Sequence, residues 1–309
     1  MNIGVIGGSG FIGSHVVEKL IGAGHEVTVF DMMKPHRDDV RHIYIDITDL
    51  SKSCVALSGA YDAIYMLAAM ADVNDVYKNP VEAGEVNIMA VANVLEAARR
   101  SGIGRVILAS TVWVYEMAEE EKVDEETSLV ISKTKHVYTA SKVAAELYCH
   151  AYQRLYGQNF TILRYGIPYG PRARGATVIA LFVKKALNGE PLTIAGDGSQ
   201  YRNFIYVEDL AEGNVAALKA AAVNQTYNLE GLRPVTIKEI AETVKKLVGD
   251  VAIEYKEARP GDYGGAIVSA AKAKKELGWQ PRVDFEEGVR RYIEWYKQSQ
   301  LRGNVSASN

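Results

Sequence analysis

The sequence predicts an α/β fold, in which a doubly wound parallel sheet is followed by a smaller α/β lobe. In the first two thirds of the chain, short runs of β-branched residues alternate with longer amphipathic stretches. A glycine-rich turn directly follows the first run, and past about Arg164 the helices become shorter and are separated by Gly- and Pro-containing loops. Repeated strand–helix–strand units make the strands parallel and cover both faces of the sheet with helices.

The individual elements follow from the spacing of their apolar residues. The predicted strands are Ile3–Ile6, Glu26–Phe30, Ile43–Ile45, Ala63–Leu67, Val106–Ala109 and Thr161–Arg164. The predicted helices are Phe11–Ile21, Val81–Arg100, Val137–Tyr156, Val178–Asn188 and Val207–Ala221. We therefore divide the chain into residues 1–164, which carry the sheet, and residues 165–309, which form most of the smaller lobe, with some strands and helices interleaved between the two.

The composition is that of a globular protein with a sizeable core. Of the 309 residues, 48% are hydrophobic and 24% are charged, which excludes a disordered or collagen-like chain. A formal net charge of −3 argues against nucleic acid as a partner. Cys54 and Cys149 form no CxxC and the six histidines show no metal-ligand spacing, so we expect no disulfide, no metal and a cytoplasmic location. No apolar run reaches the ~18 residues that a membrane helix needs.

A phosphate-binding turn is predicted between the first strand and the first helix. Gly7, Gly10 and Gly13 match the pattern GxxGxxG. Glycines are needed in such a turn because it is tight and because a pyrophosphate must approach bare backbone N–H groups. The second strand leads into Asp31, about 20 residues later, whose carboxylate can bind both ribose hydroxyls and would repel a 2′-phosphate. The sequence therefore predicts a Rossmann-type site for NAD rather than NADP.

Further cofactor contacts are predicted at the carboxyl ends of the next strands, where doubly wound sheets bind their ligands. Asp46 and Ile47 follow the third predicted strand and can flank the adenine. Leu67, Ala68 and Ala69 end the fourth, where small side chains let a dinucleotide lie against the backbone.

A tyrosine and a lysine four residues apart, Tyr138 and Lys142, share one face of a predicted helix. A phenol with a pKa of ~10 is a poor base at neutral pH, but a neighbouring ammonium and a nicotinamide cation would stabilise its phenolate. Ser110 and Thr111 follow the fifth predicted strand, where a hydroxyl can bind a substrate hydroxyl. These residues predict that Tyr138 shuttles a proton beside the nicotinamide. A nucleophile elbow, GxSxG, is excluded because Phe11 stands where its last glycine would be.

The order of these motifs along the chain resembles that of the NAD-dependent sugar-nucleotide epimerase/dehydratase family, a group of extended short-chain dehydrogenases/reductases. The matching segments are GGSGFIG at 7–13, LAA at 67–69, ASTVWVY at 109–115, YTASK at 138–142, RYGIPYGPR at 164–172, GDGSQYRNFIYVEDLA at 196–211 and RPGD at 259–262. The resemblance covers nearly the whole chain. It implies tightly bound NAD, a nucleoside-diphosphate sugar as substrate and a homodimer formed by the two long helices of the first lobe.

The resemblance also implies a role for each site residue. Tyr138 resembles the catalytic base, Lys142 its partner on the nicotinamide ribose and Thr111 the residue that holds the substrate O4. The residues implied to bind NAD are Gly7, Gly10, Phe11, Ile12, Gly13, Asp31, Asp46, Ile47, Leu67, Ala68, Ala69, Ser110, Tyr138, Lys142 and Tyr165. The residues implied to bind substrate are Thr111, Tyr138, Ile167, Val178, Arg202, Arg259 and Ala266, with the two arginines clamping the diphosphate.

Epimerisation at C4 of a UDP-glucose or UDP-galactose type substrate, through a 4-keto intermediate, is the reaction that the resemblance favours. Family dehydratases carry Asp-Glu directly after the catalytic Thr and decarboxylases usually retain the Glu, whereas this chain has Val112 and Trp113. Ile167 stands where many relatives have an Asn that contacts the diphosphate. Ala266 stands where some galactose-type epimerases have Tyr, so we expect room for N-acetylhexosamine nucleotides. The alternatives are a dehydratase, a decarboxylase or a 4-ketoreductase of the same family, and a dinucleotide sensor without catalysis.

Overall fold

A computed structural model describes residues 1–257 and 266–306, which divide into two compact units. The first unit comprises Met1–Tyr165, Leu210–Leu229 and Val268–Gln280, and the second comprises the remaining described residues. The chain therefore leaves the first unit after Tyr165 and returns to it at Leu210.

The bounds of the regular elements are as follows. The strands are β1 (Asn2–Ile6), β2 (Glu26–Phe30), β3 (Arg41–Ile43), β4 (Ala63–Met66), β5 (Arg105–Thr111), β6 (Lys122–Val123), β7 (Asn159–Tyr165), β8 (Ile167–Tyr169), β9 (Leu192–Ala195), β10 (Tyr201–Arg202), β11 (Phe204–Tyr206), β12 (Gln225–Leu229), β13 (Val235–Thr236), β14 (Ile253–Lys256) and β15 (Ile267–Val268). The α-helices are α1 (Phe11–Gly22), α2 (Leu50–Ala56), α3 (Val73–Lys78), α4 (Pro80–Gly84), α5 (Ala90–Arg100), α6 (Val137–Tyr156), α7 (Val178–Leu187), α8 (Val207–Ala216), α9 (Ile237–Val248) and α10 (Phe285–Ser306). Short 3₁₀ helices cover Val112–Met117, Ile131–Lys133 and Ala220–Ala222, and π-helical turns cover Glu85–Met89 and Ala273–Leu277.

The first unit is built on a parallel sheet with the strand order β12-β7-β5-β4-β1-β2-β3. β1 lies between β2 and β4, so the strand order reverses beside it. In doubly wound sheets this reversal opens a crevice at the carboxyl ends of the strands, where ligands bind. The predicted fold class is confirmed, and the glycine-rich turn after β1 lies at that edge.

The sheet forms because its strands can be buried on both faces. Every residue of β4 and of β5 is buried, as expected for strands covered by helices on both sides. The apolar cluster on one of these faces includes Ile6, Phe30, Ile64, Met66, Val94, Leu95, Val106 and Leu108. The strand ends are thereby held rigidly at the ligand-binding edge.

Several element boundaries differ from the sequence prediction. The third strand is Arg41–Ile43 rather than Ile43–Ile45, because Ile43 pairs with Phe30, the last residue of β2. The predicted helix Val81–Arg100 is α-helical at both ends but contains the π-helical turn Glu85–Met89. The prediction Val207–Ala221 was too long, since α8 ends at Ala216. The sheet also gains β12, a strand that the sequence analysis did not predict, which pairs in parallel with β7.

The second unit packs helices α7, α9 and α10 around an aromatic cluster. The Tyr169 ring contacts those of Phe204, Tyr206 and Phe285, with ring centroids 5.4–6.3 Å apart. Such contacts add specific geometry to a large buried apolar area. In the part of the chain that the structure describes, no helix is long and apolar enough to cross a membrane.

Candidate active site

The glycine-rich turn after β1 leaves backbone uncovered at the start of α1. Gly7 has a φ of +80°, and a Cβ atom there would lie 2.6 Å from the amide nitrogen of Ala68. Gly10 precedes α1 as its N-cap, so no side chain there bonds to the first N–H groups of the helix. Free amides at a helix N-terminus suit a pyrophosphate. Phe11 and Ile12 begin the helix and are partly exposed, as the predicted cofactor contacts require.

Asp31 lies at the end of β2, beside the same turn. Its Oδ2 accepts a hydrogen bond from the amide of Ser9 at 3.0 Å, and its Oδ1 accepts one from the amide of Met33 at 2.9 Å. These bonds fix the carboxylate next to the glycine turn. A fixed carboxylate at this place suits the ribose hydroxyls of NAD and disfavours the 2′-phosphate of NADP.

The end of β4 lies against the glycine turn, as the close approach of Gly7 to Ala68 shows. Leu67, Ala68 and Ala69 directly follow β4 and are partly exposed. The sequence analysis placed Asp46 directly after the third strand. In the structure that strand ends at Ile43, so Asp46 lies three residues beyond its end. Its Oδ1 accepts hydrogen bonds from the amide and the hydroxyl of Thr48 at 3.0 and 2.7 Å, and these bonds lower its pKa.

Ile47, which follows Asp46, is buried in the core of the first unit. Its carbonyl accepts a hydrogen bond from the side-chain amide of Asn93, which also bonds to the carbonyl of Thr48. These contacts fix the backbone next to Asp46.

The ends of β5 and β7 place Thr111 and Tyr165 opposite each other in the register. The Thr111 Oγ1 accepts a hydrogen bond from the amide of Trp113 at 3.2 Å, and its own proton is left for another acceptor. The Tyr165 hydroxyl instead donates to the Asn214 side chain at 2.6 Å, and burial raises its pKa. The Tyr165 hydroxyl is therefore engaged inside the protein, and the predicted role of Tyr165 beside the nicotinamide stays a prediction.

Tyr138 and Lys142 are one turn apart on α6, and 9% and 4% of their respective surfaces are exposed. Tyr138 packs against Val76 of α3 and Ala83 of α4. Burial lowers the pKa of Lys142 to about 8, although the negative charge of Glu146 partly opposes this shift. A lysine whose pKa is lowered towards neutral pH, one turn from a phenol, is typical of a reactive site.

Sequence reasoning missed a buried polar network behind Lys142. Glu146, one turn further along α6, binds Arg164 of β7 through two hydrogen bonds of 3.1 and 2.7 Å. Ser110 also donates its hydroxyl to Glu146, at 2.5 Å. Ser110 was expected to bind cofactor or a substrate hydroxyl, but its hydroxyl is engaged inside the protein. The continuation of the Tyr138 and Lys142 spacing by four more residues was the available signal for Glu146.

Asn87 is a second residue that sequence reasoning missed. It lies in the π-helical turn, where its side-chain amide bonds to both backbone polar groups of Met70, at 2.9 Å each. The same amide nitrogen lies 3.0 Å from the Ser141 hydroxyl, between Tyr138 and Lys142 on α6. Asn87 therefore ties the segment after β4 to the reactive helix. No periodicity predicts a π turn, but such turns are frequent at functional sites.

The predicted substrate residues of the second unit are only partly brought together. The amide of Ile167 donates to the carbonyl of Asn203 at 2.8 Å, and the Asn203 side chain donates to the carbonyl of Ala266 at 2.8 Å. Arg202, the neighbour of Asn203, donates through Nη1 to the carbonyl of Tyr201. Val178 starts α7 and packs against the core of this unit. Arg259 lies outside the described residues, and the prediction for it stays a prediction.

The family is decided by a sequence match over most of the chain. Residues 3–229 match the model of the NAD dependent epimerase/dehydratase family, which covers the glycine turn, Thr111, Tyr138 and Lys142. The chain belongs to the NAD dependent epimerase/dehydratase family. The family and NAD as its cofactor are therefore confirmed, in agreement with the uncovered backbone at Gly7 and the fixed carboxylate of Asp31.

Proteins named for different reactions of the epimerase/dehydratase family are similar to this chain. The UDP-glucuronate 4-epimerase of Thermodesulfobacterium geofontis is 31% identical over 96% of this chain and 96% of its own. UDP-glucuronic acid decarboxylase 1 of Arabidopsis thaliana is 33% identical over 95% of this chain and 69% of its own. The crystal structure of the Thermus thermophilus UDP-glucose 4-epimerase with NAD matches with a TM-score of 0.82 and 31% identity, covering 96% of this chain and 99% of that one.

These similarities make the chain an enzyme of nucleotide-sugar chemistry within the epimerase/dehydratase family, without separating epimerase, dehydratase and decarboxylase. Among residues 1–257 and 266–306, no group of three His, Cys, Asp or Glu side chains could hold a metal ion.

Proposed function

We propose that this protein interconverts the C4 epimers of a nucleoside-diphosphate sugar, with UDP-glucose and UDP-galactose as the type substrates. The observation that carries the proposal is the set of Thr111, Tyr138 and Lys142 in a chain that has no carboxylate at the two positions directly after Thr111. Such a set can move one proton and one hydride at a secondary alcohol, but it offers no acid for the elimination of water.

The chain's residues divide the work between proton transfer and positioning. Bound NAD supplies the acceptor, and afterwards the donor, of the C4 hydride. The Tyr138 phenolate takes the proton of the C4 hydroxyl as the 4-keto sugar forms, and it returns that proton when the alcohol forms again. The Lys142 ammonium stabilises the phenolate, and the Thr111 hydroxyl orients O4. The glycine turn and Asp31 would hold NAD so that the hydride returns to the other face of the rotated 4-keto sugar, and C4 would thereby be inverted.

The surroundings of Thr111 favour epimerisation over dehydration and decarboxylation. Val112 is buried and apolar, and Trp113 is partly exposed. The nearest carboxylate along the chain, Glu116, accepts hydrogen bonds from the amides of Lys135 and His136 at 3.0 and 3.3 Å. It is buried and bound to backbone, so it is poorly placed to act as the missing general acid.

We further propose that Arg202 and Arg259 hold the diphosphate while the 4-keto sugar rotates, since guanidinium groups bind phosphate oxygens in pairs. Ala266 is buried and has only a methyl side chain. Its size supports acceptance of a 2-acetamido group, so N-acetylhexosamine nucleotides are proposed as additional substrates.

The proposal is tested by assaying UDP-, dTDP- and GDP-sugars by NMR while the absorbance of NADH is followed. Appearance of the C4 epimer without net NADH is expected. Loss of water or CO₂ from the sugar, or stoichiometric NADH, would replace the proposal by one of the other reactions of the family, and no conversion of any sugar would indicate a sensor.

The proton shuttle is tested separately with Tyr138→Phe. Turnover should fall by ~100- to 10,000-fold, as for loss of a general base. NAD should stay bound, because the glycine turn and Asp31 are untouched. The nucleotide released on denaturation, measured beside the wild type, controls for loss of cofactor. Near-normal turnover in this variant would refute the role of Tyr138.

We also propose a homodimer built on α5 and α6, in a reducing, cytoplasmic compartment. α6 exposes Leu147 and Leu155 at 58% and 71%, and Met89, directly before α5, is exposed at 51%. Exposed apolar side chains on neighbouring helices suit a symmetric interface. Among the described residues Cys54 and Cys149 are free thiols, which suits a reducing compartment.

A further inference from the structure

The buried Glu146–Arg164 pair lies behind the reactive lysine and has no role in the proposed reaction itself. We propose that Glu146 and Arg164 are positioning residues that set the net charge around Tyr138 and Lys142, and thereby the pH range in which Tyr138 is a phenolate. This inference rests on the proposed function, because that function makes Tyr138 the base.

Glu146 is held in one place by hydrogen bonds to both of its carboxylate oxygens. Both of its oxygens are engaged: Oε1 by Ser110 and by Arg164 Nε, and Oε2 by Arg164 Nη2 at 2.7 Å. The second arm of Arg164, Nη1, donates to the Tyr115 hydroxyl at 3.0 Å, and that hydroxyl donates to Asn228 at 2.8 Å. All of these side chains are buried, so water screens their charges only weakly.

The cluster contains three charged side chains in addition to the Tyr138 phenol. Lys142 and Arg164 are cations and Glu146 is an anion, so the buried cluster carries a net charge of about +1 with a neutral Tyr138 and about zero with its phenolate. Arg164 occupies both oxygens of Glu146, which leaves the Lys142 ammonium with an incompletely balanced charge. An unbalanced buried cation favours a phenolate one turn away.

Four other titratable side chains on α6, on β7 and in the 3₁₀ helix after β5 have pKa values shifted towards their neutral forms. Burial raises the pKa of the Cys149 thiol and of the Tyr165 hydroxyl, and it raises the pKa of Tyr115 to about 12. Burial also lowers the pKa of His150. From the π-helical turn, the neutral Asn87 contacts α6 through Ser141. The charged side chains of the buried network are therefore Lys142 and Glu146 on α6, beyond Tyr138, and Arg164 on β7.

Substitutions that change the charge of this cluster in opposite directions should therefore shift the ionisation midpoint of Tyr138 in opposite directions. Glu146→Gln adds one net positive charge and should lower the ionisation midpoint of Tyr138 by about one pH unit. Arg164→Met removes one positive charge and should raise it by about as much. The double variant restores the wild-type charge and should return the midpoint to within a few tenths of a unit. Glu146→Asp and Arg164→Lys keep the charge and should leave it in place.

The experiment measures Tyr138 itself as well as turnover. The tyrosinate absorbance of each NAD-loaded variant is titrated against the same variant carrying Tyr138→Phe, so that the difference reports one phenol. The pH profile of turnover should shift in the same order, on both limbs, because loss of a proton from Lys142 or from Tyr138 lowers the net charge of the cluster by one. A network that only supports folding would change the melting temperature without this ordered shift.

Midpoints that move in the same direction in both single variants, or that fail to return in the double variant, would overturn the proposal. Tyr115→Phe removes a hydrogen bond from Arg164 at constant charge, so a shifted midpoint there would overturn it even if a charge variant does not fold. If the midpoints follow the charge order but no sugar is epimerised, the proposed function fails and this inference stands. If sugars are epimerised and the midpoints do not move, only this inference fails.

Discussion

Lys142→Met should stabilise the folded protein at neutral pH while abolishing its chemistry. The Lys142 side chain is buried and its pKa falls from 10.5 to about 8, because burial disfavours the ammonium more than Glu146 favours it. A difference of about 2.5 pH units corresponds to ~3 kcal/mol of unfavourable free energy for holding the cation in the folded state. Methionine keeps the length of the side chain, and Glu146 keeps its bonds to Ser110 and Arg164.

The pH dependence fixes the sign of this effect. Since the folded-state pKa lies below the unfolded-state value, the unfolded chain binds more protons between about pH 8 and 10.5. The free energy of unfolding of the wild type therefore rises with pH through this window. The advantage of the variant should be up to ~3 kcal/mol below about pH 8 and should disappear near pH 10.5.

Urea unfolding at neutral pH and near pH ~10, on protein freed of nucleotide, measures this difference without the stability that bound ligand adds. Lys52→Met is the matched control, because the Lys52 side chain is 63% exposed and pairs with Asp49 at 3.5 Å. The control should change stability by less than ~1 kcal/mol, equally at both pH values. A Lys142→Met variant that is no more stable than the wild type at neutral pH, or equally favoured at both, contradicts the reasoning.

Three further variants test the cofactor turn, the sugar site and the assembly. Gly7→Ala should weaken NAD binding by at least ~10-fold, since its Cβ would meet the Ala68 amide. The control Gly24→Ala, with a φ of +82° and open space around it, should lose only ~1–2 kcal/mol of stability to backbone strain and should keep its NAD affinity. Equal NAD affinity in both variants would contradict the role of the glycine turn in phosphate binding. Ala266→Tyr should reduce turnover of N-acetylhexosamine nucleotides far more than that of hexose nucleotides. A wild type that turns over hexose nucleotides but no N-acetylated ones would contradict the proposed room for a 2-acetamido group at Ala266. Leu147→Glu should shift the mass measured by light scattering from dimer to monomer, and an unchanged mass would place any interface elsewhere.

The sequence was sufficient for the features that depend on local spacing. The glycine turn, the helix Val137–Tyr156 and the strand Glu26–Phe30 are where the sequence predicts them. Each is defined by neighbours along the chain: glycines that allow a tight turn, apolar residues at helical spacing, or a β-branched run. Tyr138 and Lys142 share a helix face for the same reason.

The features that the sequence did not show depend on partners distant along the chain. β12 is a strand because it pairs with β7, some sixty residues earlier; three of its residues, Gln225, Thr226 and Asn228, are polar, so its apolar pattern is weak. Ser110 had an expected role beside the ligand, yet its hydroxyl is engaged by Glu146, 36 residues later.

Local spacing by itself determined the fold class, the cofactor turn and the reactive pair of this protein, because each depends on the backbone geometry of a single segment. Only the tertiary structure decided which charged side chains lie behind this pair. Buried charges interact strongly across the gap between a helix and a strand, and the meeting of Glu146 on α6 with Arg164 on β7 is a product of the folded sheet.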